Sequence, residues 1–235
     1  MKKFFSVICL FFLLALISFS QELTQNERVL KQTVLYKAGK TYIENARNDN
    51  GEIARWNKAK MPIIVYCEMA SDVPSYYLPS FVQAVKIWEI ESNGLLKFKI
   101  VANEDGANIK FKILREKPEN LELAYTETRV ETKKKILLES VIFIYQRGED
   151  GKFYTPNEVL SISVHEMGHA LGIFGHSNIP TSIMYAEYST KNRKISDFLN
   201  LEDKNTLQLL YKIAPDYING DRDLEVGNID KKLIF

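Results

Sequence analysis

The chain contains three histidines, and all of them fall in the stretch HEMGHALGIFGHS: His165, His169 and His176. His165 and His169 are four residues apart, which on a helix places both on one face, one turn from each other. Neutral imidazoles so arranged can meet on a single ion, and zinc takes them readily. Glu166, beside the first imidazole, can address a water molecule at the ion's open position. The ion acidifies that water and the carboxylate shuttles its proton. A catalytic zinc needs three protein ligands, and the helix supplies only two. Gly172 supplies the route to a third: a left-handed residue ends the helix and turns the chain back, bringing His176 within reach of the metal. Gly175, just before it, suits an irregular loop. Glu187 or a nearby tyrosine would be a poorer third ligand. The pair with its glutamate also arises in ordinary solvated helices; the glycine and the third histidine make the set specific.

The helix that carries the pair has its own punctuation. Thr155-Pro156-Asn157-Glu158 is a capping box with proline in the first turn, so a helix starts there and runs through VLSISVHEMGHAL to Gly172. Upstream, PSFVQAVKIWEIESNG (79–94) predicts a helix with Phe81, Ala84, Val85 and Trp88 on one face and Asn93-Gly94 as its stop. MPIIVYCE (61–68), LLKFKIV (95–101), ANIKFKIL (107–114), LAYTETRV (123–130) and ILLESVIFIYQ (136–146) read as strands. A last helix, LEDKNTLQLLYKI (201–213), has Asn200 as its cap and acids in its first turn. Strand, helix, strands, helix, helix is an α+β arrangement.

Around this block the chain divides simply. Residues 1–20, MKKFFSVICLFFLLALISFS, have a dilysine head, an apolar run and small residues at the cleavage positions, the pattern of a secretory signal peptide. A retained membrane anchor is the alternative, though the run is short for a span. Residues 21–55 are polar and weakly patterned and read as an N-terminal segment outside the main core. Residues 56–213 form the catalytic block, and 214–235 read as a loose tail. Without Lys2 and Lys3 the formal charge moves from +1 to −1, which leaves no basic stripe for nucleic acid and no charge block for a membrane surface. One cysteine remains after signal removal, Cys67, in an apolar strand where a buried thiol is the expectation. The chain reads as a monomer.

With these residues in view, the sequence resembles the metzincin metallopeptidases, and among them the matrixins. HEMGHALG matches their zinc helix. Met184, in PTSIMYAEY, stands where that group has the methionine turn beneath the metal. RWNKAKMPIIVY and AVKIWEIESNGLLKF resemble the first strand, first helix and second strand of the catalytic domain. ANIKFKI and DKNTLQLLYKI resemble its third strand and closing helix. The resemblance implies a twisted mixed sheet of about five strands with the zinc-binding helix, the methionine turn and a C-terminal helix. It implies a zinc endopeptidase with its substrate laid antiparallel along an edge strand within Lys134–Tyr145.

Three departures accompany it. The family pattern HExxHxxGxxH becomes HExxHxxGxxxH, because Gly175 occupies the usual third position and His176 comes one later. An insertion there is absorbed by irregular backbone, whereas one between His165 and His169 would rotate a ligand off the shared face. No histidines remain for the structural zinc that matrixins commonly hold. Residues 21–55 contain no cysteine, so a cysteine latch on the metal is excluded; Glu27, Glu44 or Asp49 could block it instead. NEDG (103–106) and RGEDG (147–151) offer oxygens for structural Ca2+, although ordinary solvated turns account for both. The expectation is a secreted peptidase acting on protein or peptide substrates. The alternatives are a binding module on the same fold whose catalysis has lapsed, and a membrane-tethered form.

Overall fold

A mixed sheet carries the site. The structure, a computed structural model, describes residues 41–48, 50–116, 123–186, 199–212 and 229–234. The strands are β1 Ile63–Cys67, β2 Phe98–Val101, β3 Ile109–Leu114, β4 Ala124–Glu131, β5 Ile136–Tyr145 and β6 Ile229–Ile234; the helices are α1 Tyr77–Glu91, α2 Pro156–Ala170 and α3 Leu201–Lys212. The strand order is β2-β1-β3-β5-β4-β6. β2, β1, β3 and β5 are parallel, β4 runs antiparallel to β5, and β6 runs antiparallel to β4. The α+β class and all five expected strands are present, and β6 adds a sixth.

The helices form because their apolar spacing and caps agree. α1 buries the predicted face, Phe81, Ala84, Val85 and Trp88, together with Tyr77, and Asn93 and Gly94 follow at φ 52 and 79. Phe81 stacks on Phe111 of β3 with ring centroids 5.0 Å apart, and Trp88 donates its indole N–H to the Val164 carbonyl of α2 at 2.7 Å. That anchor ties α1 to the helix of the histidines. Removing the Trp88 side chain would cost about 3–5 kcal/mol. α2 opens on the expected capping box: the Thr155 N–H donates to Glu158 Oε2 at 2.7 Å, and the Glu158 N–H to the Thr155 hydroxyl at 3.4 Å. α2 packs against β4 and β5 and is buried from Val159 to Ala170. Its last carbonyls, which a helix leaves unpaired, find distant donors. The Trp56 indole reaches the Ala170 carbonyl at 2.9 Å and the Tyr211 hydroxyl the Leu171 carbonyl at 2.9 Å.

Three expectations are corrected. β5, which falls in Lys134–Tyr145, is not an edge; it pairs with β3 on one side and β4 on the other. Its apolar run buries residues between two ladders, and the outer position on that side belongs to β6, which pairs with the far side of β4. The tail is not loose throughout, because Ile229–Ile234 add to the sheet as β6. Part of the N-terminal segment also belongs to the core: Tyr42, Ile43, Ala46, Ile53 and Ala54 are buried. Ile43 and Ala46 do so through a short 3-10 turn, too brief to leave a periodic trace in the sequence. Cys67 is buried as expected, and burial pushes its thiol up to about 12. Asn103–Gly106 is held as a turn, with Glu104 ion-paired to Lys112. The signal-peptide expectation, Glu27, Asp49 and Glu187 lie outside the described residues. Among the described residues no helix is long and apolar enough to cross a membrane.

Candidate metal centre

The three histidines come together. One ring nitrogen from each of His165, His169 and His176 lies within 4.8 Å of the others. His165 and His169 project from adjacent turns of α2, with their Nε2 atoms 3.0 Å apart. Each is oriented through its other nitrogen: His165 Nδ1 lies 2.5 Å from the Ile183 carbonyl and His169 Nδ1 2.6 Å from the Ile173 carbonyl. A carbonyl only accepts, so each Nδ1 carries the proton and each Nε2 is a lone pair. Two lone pairs facing each other at this distance repel unless a cation lies between them. Two nitrogens on a tetrahedral zinc stand roughly 3.3 Å apart, so the residues fit that ion. The protonation preference agrees. Burial, with His176 adding repulsion, pushes His169 down to about 3, and burial also lowers His176. Neutral imidazole is the ligand form.

The loop that carries His176 is set by the chain ends of other elements. Gly172 stands at φ +101, the left-handed geometry the sequence requires there, and a Cβ on it would collide with the Ala54 carbonyl. The following backbone is held by the 3-10 turn of the N-terminal segment. Asn45 donates its side-chain amide to the His176 carbonyl at 2.8 Å, and the Phe174 N–H reaches the Ala46 carbonyl at 3.4 Å. Gly175 is needed for close approach, since a Cβ there would meet the Asn45 carbonyl. The extra residue before His176 is accommodated by this contact. Glu44, an acidic candidate for blocking the metal, instead pairs with Arg47 at 2.7 Å.

Met184 lies beneath the helix, fully buried, with its sulfur where a Cβ on Gly168 would stand. Its turn is fixed by Asp203 at the start of α3. The Asp203 carboxylate accepts from the Tyr42 hydroxyl at 2.6 Å, from the Ser182 hydroxyl, from the Ile183 N–H at 3.1 Å and from the Asn200 N–H at 2.9 Å. Burial holds its carboxyl above the usual range, against the pull of those donors. The same Ile183 offers its carbonyl to His165, so α3, the methionine turn and the first imidazole are mechanically continuous.

Glu166 is 1% exposed, and its Oε2 accepts a hydrogen bond from the Thr126 hydroxyl of β4 at 2.5 Å. All the residues singled out from the sequence for this site, His165, Glu166, His169, Gly172, His176 and Met184, therefore share one neighbourhood. Thr126, Asn45, Asp203 and the Ile173 and Ile183 carbonyls were not foreseen. Backbone carbonyls have no residue-type signature, and the other three act across long sequence separations.

A mixed sheet under a helix with two inward imidazoles, a returning loop with a third, and a methionine turn beneath them define a metzincin-like domain. The sequence model of the matrixin family matches residues 56–212, and the chain belongs to that family. Matrixins bind zinc and are metalloendopeptidases as a family. Over 57 residues, 24% of this chain, it is 42% identical to Metalloendoproteinase 2-MMP of Arabidopsis thaliana. It is 37% identical over a stretch of the same length to Metalloendoproteinase 4-MMP of that plant. The matched stretch covers 14% and 16% of those relatives' own lengths.

Proposed function

We propose that this chain is a secreted zinc-dependent endopeptidase. In this reading His165, His169 and His176 hold one zinc, and Glu166 is the general base. The observation that carries it is the facing pair of Nε2 lone pairs 3.0 Å apart with Glu166 one residue from the first. When bound, zinc supplies Lewis-acid polarisation of the scissile carbonyl and acidifies water. Glu166 takes the proton of the attacking water and returns it to the departing amide nitrogen. Gly172 and Met184 support the site, the first by turning the chain and the second by filling the space under α2. β6 pairs antiparallel on β4 beside Glu166, so an extended peptide would take that edge in place of β6.

The test is cleavage of a diverse peptide mixture by residues 21–235, beside Glu166→Ala in the same chain. Cuts made by the wild type alone establish the peptidase and show its side-chain preference. Cuts by both point to a contaminant. Cuts by neither, with zinc bound, favour a binding module whose catalysis has lapsed.

A further inference from the structure

Thr126 has a role that the packing of β4 does not require. It lies in the run of buried positions Ala124, Thr126, Thr128 and Val130 on the face that meets α2, and its side chain is fully buried. Valine has the same branched shape and would fill that space without a polar atom to satisfy. The neighbouring Thr128 explains its own hydroxyl: it bonds to the Ser140 hydroxyl at 3.1 Å, which in turn reaches the Ala170 carbonyl at 3.4 Å. Thr126 reaches elsewhere. Its oxygen is 2.5 Å from Glu166 Oε2 and 3.3 Å from the Glu166 carbonyl. The hydroxyl has one proton, and the nearer carboxylate oxygen claims it.

We propose that Thr126 is the positioning residue of Glu166, its hydroxyl fixing the rotation of the carboxylate that serves as base. This rests on the reading of Glu166 given above. The hydrogen bond does two things. It holds Oε2 against β4, so the carboxylate presents one orientation rather than several to the reacting water. It also joins the base to the strand on which an extended segment pairs, since Thr126 is the register partner of Leu233 in β6. A peptide aligned by the backbone of β4, in place of β6, would thereby be aligned with the base through a single residue.

The test uses the zinc-loaded full chain and the variants Thr126→Val, Thr126→Ser, Glu166→Ala and Thr126→Val with Glu166→Ala. Thr126→Val keeps its zinc and loses about tenfold in kcat, the worth of one hydrogen bond to a charged group. KM stays within about twofold, because the lost contact orients the base rather than binding substrate. Thr126→Ser, which keeps the donor, recovers most of the rate. A second readout needs no turnover: Thr126→Val lowers Tm by about 2–4 °C when Glu166 is present. That loss disappears in the Glu166→Ala background. The proposal is overturned by a Thr126→Val rate equal to wild type, by serine failing as badly as valine, or by a Tm loss indifferent to Glu166. If wild type and Glu166→Ala cleave alike while the Tm coupling persists, the hydrogen bond stands but Glu166 is not the base, and the positioning role falls with it.

Discussion

The two halves of the candidate metal centre are built in different ways. His165 and His169 converge by helix geometry, with the Ile183 and Ile173 carbonyls fixing their rings; they are 5% and 0% exposed and sit on a helix with its own cap and stop. His176 is half-buried on irregular backbone, and its loop leans on residues more than a hundred positions earlier, above all Asn45 and Ala54, and on the Ser177 N–H bond to the Met184 carbonyl at 2.7 Å. A local motif can be inserted by sequence alone, whereas a loop ligand must be held from outside. The late third histidine still meets the other two because it falls in the half that other parts of the chain define.

The largest effect should come from breaking the helix half. His169→Ala removes an imidazole that nothing else replaces, and is expected to leave peptide cleavage at the Glu166→Ala background with zinc content below one equivalent by elemental analysis. Breaking the loop half at its turn comes next. Gly172→Ala forces a side chain into left-handed backbone and against the Ala54 carbonyl, at a cost of about 3 kcal/mol in urea unfolding. An alanine that left stability unchanged would mean the turn is not where the loop is defined.

Asn45→Ala sharpens the comparison, since it touches only the buttress. It should cost about 1 kcal/mol of stability and release zinc to a chelator roughly tenfold faster, with the two helix ligands untouched. The smallest effect belongs to a control remote from both halves. Glu139 accepts from Lys110 at 2.6 Å and pairs with Arg129 at 3.2 Å, and Lys110 holds its carboxyl below the ordinary value of 4.5. A depressed carboxylate contributes fully above its unfolded value and loses that contribution as pH falls through the folded one. Glu139→Gln should therefore cost about 0.5 kcal/mol at neutral pH, and its unfolding curves should merge with wild type in acid.

What the sequence revealed follows the same division. The buried face of α1, the Thr155 capping box, the stop at Gly172 and the helix pair were legible because each depends on residues a few positions apart. The position of β5 was not, because strand order in a mixed sheet is decided by which ladders close around the helices rather than by alternation within one strand. The incorporation of Tyr42–Ala46 was equally hidden. Its polar pattern gives no period, and its burial depends on partners such as Asp203 and Thr206 at the far end of the chain. Thr126 looked like an ordinary strand residue until α2 was laid across it.

The early 3-10 turn bears on how the chain can be dissected. The family match begins at Trp56, yet the compact unit begins at Tyr42. A fragment trimmed to the matched region would discard Asn45, Ala46 and Ala54 together, removing the outer wall against which the His176 loop is shaped. The smallest piece worth expressing therefore starts no later than Tyr42, and the matched stretch is shorter than the compact one.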